Sequence, residues 1–258
     1  MSNNTSPRVG LFATCLVDLM RPVVGFAAVK LLEDAGCMVD VPVAQTCCGQ
    51  PAYNAGDTSD TIDIARQVIT SFENYDYIVV PSGSCGGMLK HHYIELFEGD
   101  SEWVPRAQAF ADKTHELLSF LDDIMKVSLT GLKLDATVAY HDSCSGLREL
   151  EIKKQPRALL NAVDGLNLVE GTEAETCCGF GGLFCVKYPD ISEKMVDAKV
   201  DDIVATGADT LVAGDLGCLM NIAGRLQRRN IDIKVRHTAE ILANMTHGPA
   251  IGDPMDDA

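Results

Sequence analysis

The 258-residue sequence lacks most of the signatures that assign a chemistry at a glance. No apolar run approaches the ~18 residues that a membrane-spanning helix needs. No basic segment followed by an apolar stretch opens the chain. Met1-Ser2-Asn3-Asn4-Thr5-Ser6-Pro7 is a polar tail, so no signal peptide is read and a cytoplasmic protein is expected. Positive charge is scarce, with 21 Lys and Arg against 37 Asp and Glu for a formal charge of −16. That balance argues against a nucleic-acid partner, which selects for a basic surface. There is no G-x-x-x-x-G-K-[ST], and no G-x-G-x-x-G after a first strand. Gly179-Phe180-Gly181-Gly182 comes nearest but lacks the third spacing. Neither a nucleoside triphosphate site nor a nicotinamide site is therefore visible; a flavin site, which can lack a short signature, stays open. Cys-x-x-Cys pairs are missing too, which removes the usual hairpin signature of a four-cysteine zinc site.

Cysteine itself is not missing. The chain has ten. A reducing cytosol argues against structural disulfides, and nearly half the residues are hydrophobic, so a core can form without staples. In that setting a cysteine-rich chain points to metal or redox chemistry.

Strand and helix patterns alternate along the chain. Arg8 to Ala13, Cys37 to Val41 and Tyr77 to Pro81 read as short buried strands, each running into cysteine. Pro22 suits a first helical turn and Gly36 the end of that helix. Ile62, Ala65, Ile69 and Phe72 mark a second helix, and another is expected to open near Met88. Pro105 to Met125 reads as one helix with Phe110, Leu117, Leu118, Leu121 and Ile124 inward, and Ser128 to Gly131 as a linker. The pattern then restarts. Strands are expected at Ala136 to Tyr140, Leu166 to Val169, Asp209 to Gly214 and Ile233 to His237. Helices are expected at Arg157 to Val163, after Pro189 to about Ala205, and at Ala239 to Met245. Asp190 and Glu193 have capping-box spacing. The fold class is therefore α/β, with two pseudo-symmetric repeats, each a small parallel sheet flanked by helices. The units are 8–127 and 134–246, with disordered tails at 1–7 and 247–258.

The duplication is carried by cysteine. Cys15, Cys47, Cys48 and Cys85 recur as Cys144, Cys177, Cys178 and Cys218. The offsets are 129, 130 and 133 residues for the first, second and fourth positions. Only Cys37 and Cys185 fall outside. All eight repeated cysteines follow strand ends, where open α/β sheets bind ligands. Each half thus gathers four thiols from loops distant in sequence. A four-cysteine zinc ion is one reading, although adjacent side chains diverge and serve one tetrahedral ion poorly. Redox chemistry of a vicinal pair is a second, and leaves the four lone cysteines unexplained. Iron–sulfur clusters are a third. Several irons let neighbouring cysteines each bind a different one, and four thiolates is the usual count for [4Fe–4S]. Small buried residues are the fourth, and do not explain the repeat.

Cys15…Cys47-Cys48-Gly49…Cys85 and Cys144…Cys177-Cys178-Gly179…Cys218 resemble the CCG (cysteine-rich) domain. It is found in the cysteine-rich subunit of heterodisulfide reductase, the glycolate oxidase iron–sulfur subunit and the lactate utilization protein A family. The third is most similar, through Leu11-Phe12-Ala13-Thr14-Cys15-Leu16-Val17-Asp18, Gln45-Thr46-Cys47-Cys48-Gly49-Gln50-Pro51-Ala52, Pro81-Ser82-Gly83-Ser84-Cys85, Cys177-Cys178-Gly179-Phe180-Gly181-Gly182 and Gly214-Asp215-Leu216-Gly217-Cys218-Leu219-Met220-Asn221-Ile222. The resemblance covers about Arg8 to Ala243. It implies an iron–sulfur electron-transfer subunit of a complex oxidising L-lactate to pyruvate, independent of NAD and inactive alone. It also implies partner subunits, including a ferredoxin-like iron–sulfur protein. Two [4Fe–4S] clusters on the eight repeated cysteines follow from it, with zinc as the alternative. A glycolate or glycerol-3-phosphate oxidase subunit, a heterodisulfide-reductase-like subunit and a zinc-stabilised scaffold are the alternative functions.

One departure is informative. The heterodisulfide reductase motif ends in Cys-x-x-Cys, and the first of those positions is Ser82 in one half and Asp215 in the other. That puts heterodisulfide cleavage in doubt and leaves Ser82, Asp215 and Cys185 as possible extra ligands. His141 and Asp142, on the loop of Cys144, are candidates for catalysis or for hydrogen bonding to a cluster. His237 is expected to cap or fill the core, and His91 and His92 to lie on a helix surface. Lys90, Arg148 and Lys187 are candidates for a substrate carboxylate.

Overall fold

A computed structural model of the chain describes residues 6–254. Of the tails expected at 1–7 and 247–258, residues 1–5 and 255–258 lie outside the described residues.

The first half begins with β1 (Arg8–Leu11), α1 (Cys15–Met20), α2 (Pro22–Asp34), β2 (Met38–Asp40), α3 (Gln50–Ala55), α4 (Thr58–Phe72) and β3 (Tyr77–Val80). It continues through α5 (Gly83–Gly87), a π-helical turn (Met88–His92), α6 (Tyr93–Leu96), α7 (Trp103–Asp112) and β4 (Thr114–Glu116). It closes with α8 (Leu117–Ser119) and a second π-helical turn (Phe120–Ile124). The second half has β5 (Lys133–Tyr140), α9 (Cys144–Arg148), α10 (Lys154–Asn161), β6 (Asp164–Val169) and α11 (Phe184–Lys187). It ends with α12 (Pro189–Ala205), β7 (Thr210–Ala213), α13 (Leu216–Arg228), β8 (Lys234–His237) and α14 (Thr238–Leu242). Two four-stranded parallel sheets result, ordered β2-β1-β3-β4 and β6-β5-β7-β8. The expected α/β architecture of two repeats is present.

Several local expectations give way to tertiary pairing. The stretch from Pro105 to Met125 is not one helix, because Thr114–Glu116 pairs with β3 in the register Ile78↔Thr114 to Val80↔Glu116. Its flanking apolar residues fit helical spacing, while the strand itself is only three residues long and is held by a distant partner. The helix expected near Met88 starts at Gly83, and Met88–His92 is a π-helical turn within it. Asp190 and Glu193 form no capping box. Pro189 occupies the first turn and Tyr188 the N-cap, so Asp190 is already inside the helix.

The C-terminal stretch is corrected as well. Residues 247–254, expected in a disordered tail, pack beside β8. Ile251 N donates to the Val235 carbonyl at 2.8 Å, and Ala250 and Ile251 are buried. Arg21 and Arg236 donate to the carbonyls of Pro249 and Gly248 at 2.7 and 2.6 Å. A short apolar pair and two arginines thus order a segment whose composition reads as tail.

The halves are interlocked. Val9, Leu11, Leu31 and Leu32 share one core with Val138, Tyr140, Leu159 and Ile241. Across the pseudo-twofold, α2 packs on α14 as α10 packs on α8, and α5 lies against α9 as α13 lies against α1. The α5–α9 contact depends on glycine. A Cβ on Gly83 would sit 2.8 Å from Gly146 N, so the two backbones approach closely. This packing brings the carboxyl ends of both sheets toward the middle of the molecule.

Candidate metal centres

The eight repeated cysteines all follow strand ends. Cys15 and Cys144 open α1 and α9, Cys85 and Cys218 sit in the first turns of α5 and α13, and the cysteine pairs lie in loops after β2 and β6. Four short side chains start these helices. Thr14 Oγ1 accepts from Val17 N at 3.3 Å, Ser82 Oγ from Cys85 N at 3.3 Å, Ser143 Oγ from Gly146 N at 3.3 Å, and Asp215 Oδ1 from Gly217 N at 3.1 Å.

The glycine after each pair has a defined task. Gly49 and Gly179 have φ of 83° and 82°, which turns the chain sharply after the second cysteine. Space agrees with conformation: a Cβ on Gly179 would meet the Ser192 carbonyl oxygen at 2.8 Å, and one on Gly49 would meet an Ile64 methyl at 3.3 Å. Each pair is also tied by its carbonyl. Tyr93 Oη donates to the Cys48 oxygen and Asn221 Nδ2 to the Cys178 oxygen, both at 2.9 Å. Sequence reading missed Tyr93, which no motif includes, and gave no role to Asn221, which lies three residues after Cys218 on α13.

All ten cysteines are free. In the first half Cys15 Sγ donates to Cys47 Sγ at 3.9 Å and Cys48 Sγ to Cys85 Sγ at 3.4 Å. The thiols set one another's ionisation. The Cys15 thiol, then that of Cys48, pulls Cys47 down to about 3, and Cys144 with Cys178 pulls Cys177 down to about 2. Their donors move the other way: Cys15 and Cys144 are pushed up, first by the hydrogen bond they give and then by burial. Cys48 and Cys178 are held well above the usual thiol range by the same two causes. The hydrogen bonds thus favour negative charge on Cys47 and Cys177 and oppose it on Cys15, Cys48, Cys144 and Cys178. Ionising all four together needs a cation among them, which is the behaviour of a metal-binding thiol set.

Ser82 and Asp215 meet each other. Ser82 Oγ donates to Asp215 Oδ2 at 3.1 Å, and Ser84 N donates to the same oxygen at 2.9 Å. These two positions, where the heterodisulfide reductase motif has cysteine, act as helix caps and join the halves. Cys185 Sγ donates to the Gly182 carbonyl at 3.3 Å. Asp142 is buried and held by both Arg157 guanidinium nitrogens at 2.9 and 2.8 Å. His141 is 1% exposed, and neither ring nitrogen has a hydrogen-bond partner. A ring nitrogen of His141 and the sulfurs of Cys178 and Cys218 all lie within 4.8 Å of one another. Burial and then the Lys199 charge pull His141 down to about 3, so the ring is neutral.

The other candidates are structural or open to solvent. Lys90 donates to the carbonyls of Ala111 and Thr114 at 3.1 and 3.0 Å. His237 is fully buried and its Nδ1 caps α14. His91 pairs with the Glu149 carbonyl, and His92 with the Glu95 carboxylate. Arg148 and Lys187 are exposed. A cavity of about 220 Å³ adjoins the first centre, lined by Cys15, Cys47, Cys48 and Cys85 and, from the second half, by Phe180 and Leu183.

The CCG cysteine-rich domain profile matches residues 9–90 and 138–223, the two segments that carry the duplicated cysteines. Over 92% of the chain and 96% of the relative, the sequence is 51% identical to "Lactate utilization protein A" of Macrococcus caseolyticus.

The chain belongs to the lactate utilization protein A family of CCG cysteine-rich proteins.

Membership extends to the relative of that name from a Geobacillus species, 51% identical over 91% of this chain and 98% of the relative. Among solved structures, a hypothetical protein from Helicobacter pylori covers 97% of the chain with a TM-score of 0.65 at 14% identity. This chain spans 50% of that protein, and the likeness speaks for the fold alone. Among the described residues no helix is long and apolar enough to cross a membrane.

Proposed function

We propose that this chain is an iron–sulfur electron-transfer subunit of a cytoplasmic complex that oxidises L-lactate to pyruvate without NAD. The observation that carries the reading is the duplicated set of four thiols, gathered from three loops at the end of each sheet. Cys15, Cys47, Cys48 and Cys85 would hold one [4Fe–4S] cluster, and Cys144, Cys177, Cys178 and Cys218 the other. Bound clusters would supply single-electron carriage between partners. The relatives' name, lactate utilization protein A, supports the substrate.

Lactate oxidation to pyruvate releases two electrons and two protons. The side chains here suit a relay better than that step. His141 is sealed from solvent and Asp142 is neutralised by Arg157, so neither is placed to meet a hydroxy acid. What this chain does is hold thiolates, orient them through Gly49, Gly179, Tyr93 and Asn221, and exclude water around Cys48 and Cys178. The substrate step then belongs to a partner subunit, and a ferredoxin-like iron–sulfur protein is the expected neighbour in the relay.

Growth tests the assignment. In a host with no other lactate dehydrogenase, deleting the gene should abolish growth on L-lactate. The intact gene should restore it, and Cys48→Ala or Cys178→Ala should not. Unimpaired growth of the deletion strain contradicts the proposal.

A further inference from the structure

The two centres are built alike but are not lined alike. Phe12 N donates to the Val79 carbonyl at 2.8 Å, and His141 N donates to the Val212 carbonyl at 2.9 Å. Both residues lie three before the first cysteine of their half, so Phe12 and His141 occupy one position of the repeat. In the first half that position is a phenyl ring packed on Phe72, with centroids 5.6 Å apart. In the second it is an imidazole with both nitrogens buried and unpaired. Leaving such a polar group without a partner is costly, and solvent does not reach it. A partner inside the site removes that cost. The ring nitrogen lies within 4.8 Å of the Cys178 and Cys218 sulfurs, close enough to share in a metal centre held by them.

A second difference points the same way. Lys199, on α12, is 1% exposed and donates to the carbonyls of Glu173 and Ala174 on the loop before the cysteine pair. The counterpart helix α4 turns Ala65, Val68 and Ile69 inward. The second site thus has a buried imidazole where the first has a phenyl ring, and a buried ammonium on a helix whose counterpart buries no charged side chain.

We infer that His141 binds metal at the second centre as a donor the first centre lacks, which makes the two centres electronically unequal. The inference rests on the metal-centre reading above. A nitrogen donor at one centre only changes the electron density on its metal, and the buried Lys199 ammonium favours the reduced state there.

The test is pulsed electron paramagnetic resonance on the anaerobically purified chain, with a redox titration of the same samples. Cys48→Ala serves to isolate the second centre. The expected result is a directly bound nitrogen coupling, in the chain and in Cys48→Ala, that is lost in His141→Phe. The second midpoint potential should also shift in His141→Phe. Phe12 shows that a phenyl ring is accommodated at this position of the repeat. His141→Cys, which offers a thiolate at the same place, should keep the metal and lose the nitrogen coupling. Absence of the coupling from the loaded second centre, or an unchanged potential in His141→Phe, overturns the inference. Protein without sulfide that holds a divalent ion would end the iron–sulfur reading but not ligation by His141. Cobalt(II) in the second site must then show the same nitrogen coupling, and its absence overturns the role of His141.

Discussion

At the residue scale, the glycine after each cysteine pair is legible in part from sequence and completed by the backbone. A recurring Cys-Cys-Gly marks the loop, and the left-handed φ explains why the third residue has no side chain. The two glycines are not equally tolerant. Alanine at either position meets the ~1–2 kcal/mol left-handed penalty, but only Gly179→Ala also drives a Cβ against a backbone oxygen at 2.8 Å. Denaturant unfolding should therefore show Gly179→Ala more destabilised than Gly49→Ala, and Gly179→Ala should lose more metal from its own centre.

Glu116 is a second residue that sequence does not reveal. It ends β4, the strand hidden inside an apparently helical stretch. Its Oε2 accepts from Leu118 N and Ser119 N at 2.8 and 3.1 Å, while Oε1 is buried without a partner. Burial first, and the nearby Asp215 charge with it, raise Glu116 to about 7 against the restraint of those two amide donors. The folded value lies above the unfolded one. The protonated carboxyl thus stabilises the fold fully below the unfolded pKa, and that contribution fades as pH climbs through about 7. A shift of this size corresponds to about 3 kcal/mol. Glu116→Gln should flatten that loss between pH 4.5 and 7.5 in denaturant midpoints. An equal slope in both proteins would show that Glu116 is not the group responsible.

At the scale of elements, the strands that end in cysteine were readable because each is a short apolar run closed by the same residue type. The β4 strand was not, since three residues carry too little pattern and its partner β3 lies far away in the chain. The close approach of α5 to α9 was equally hidden. Gly83 reads as loop, yet its missing side chain lets two helices from different halves touch. Gly83→Ala should cost about 1–3 kcal/mol through overpacking, read as a lower unfolding midpoint. Replacing Gly36, whose Cβ would meet nothing within 4 Å, should cost no more than its left-handed φ requires.

The same scale explains Ser82 and Asp215. Their positions drew attention as possible ligands, and the structure has them hydrogen-bonded to each other across the halves. Asp215→Ala removes a helix cap and two further acceptor contacts, so it should destabilise by roughly 2–4 kcal/mol. Loss of metal without loss of stability would instead favour ligation by Asp215.

At the scale of the whole molecule, duplication was visible in the cysteine register, and the interlocking of the copies was not. Two repeats in sequence suggest two independent units. Instead, residues of both halves build one core, and α2, α5 and α10 each pack on an element of the opposite half. Apolar faces in a sequence say that burial will occur and leave the partner unspecified. Thermal unfolding should consequently be a single cooperative transition, and residues 1–127 expressed alone should expose core and fail to fold cooperatively.

The shared frame also packs together the elements that carry both thiol sets, and each set is proposed to hold one cluster of a relay. Iron and sulfide analysis of the anaerobically purified chain tests that claim most directly. The account predicts a brown protein with about eight irons and eight sulfides per chain, falling by about half in Cys48→Ala and again by about half in Cys178→Ala. A colourless protein with one zinc per half and no sulfide would contradict it.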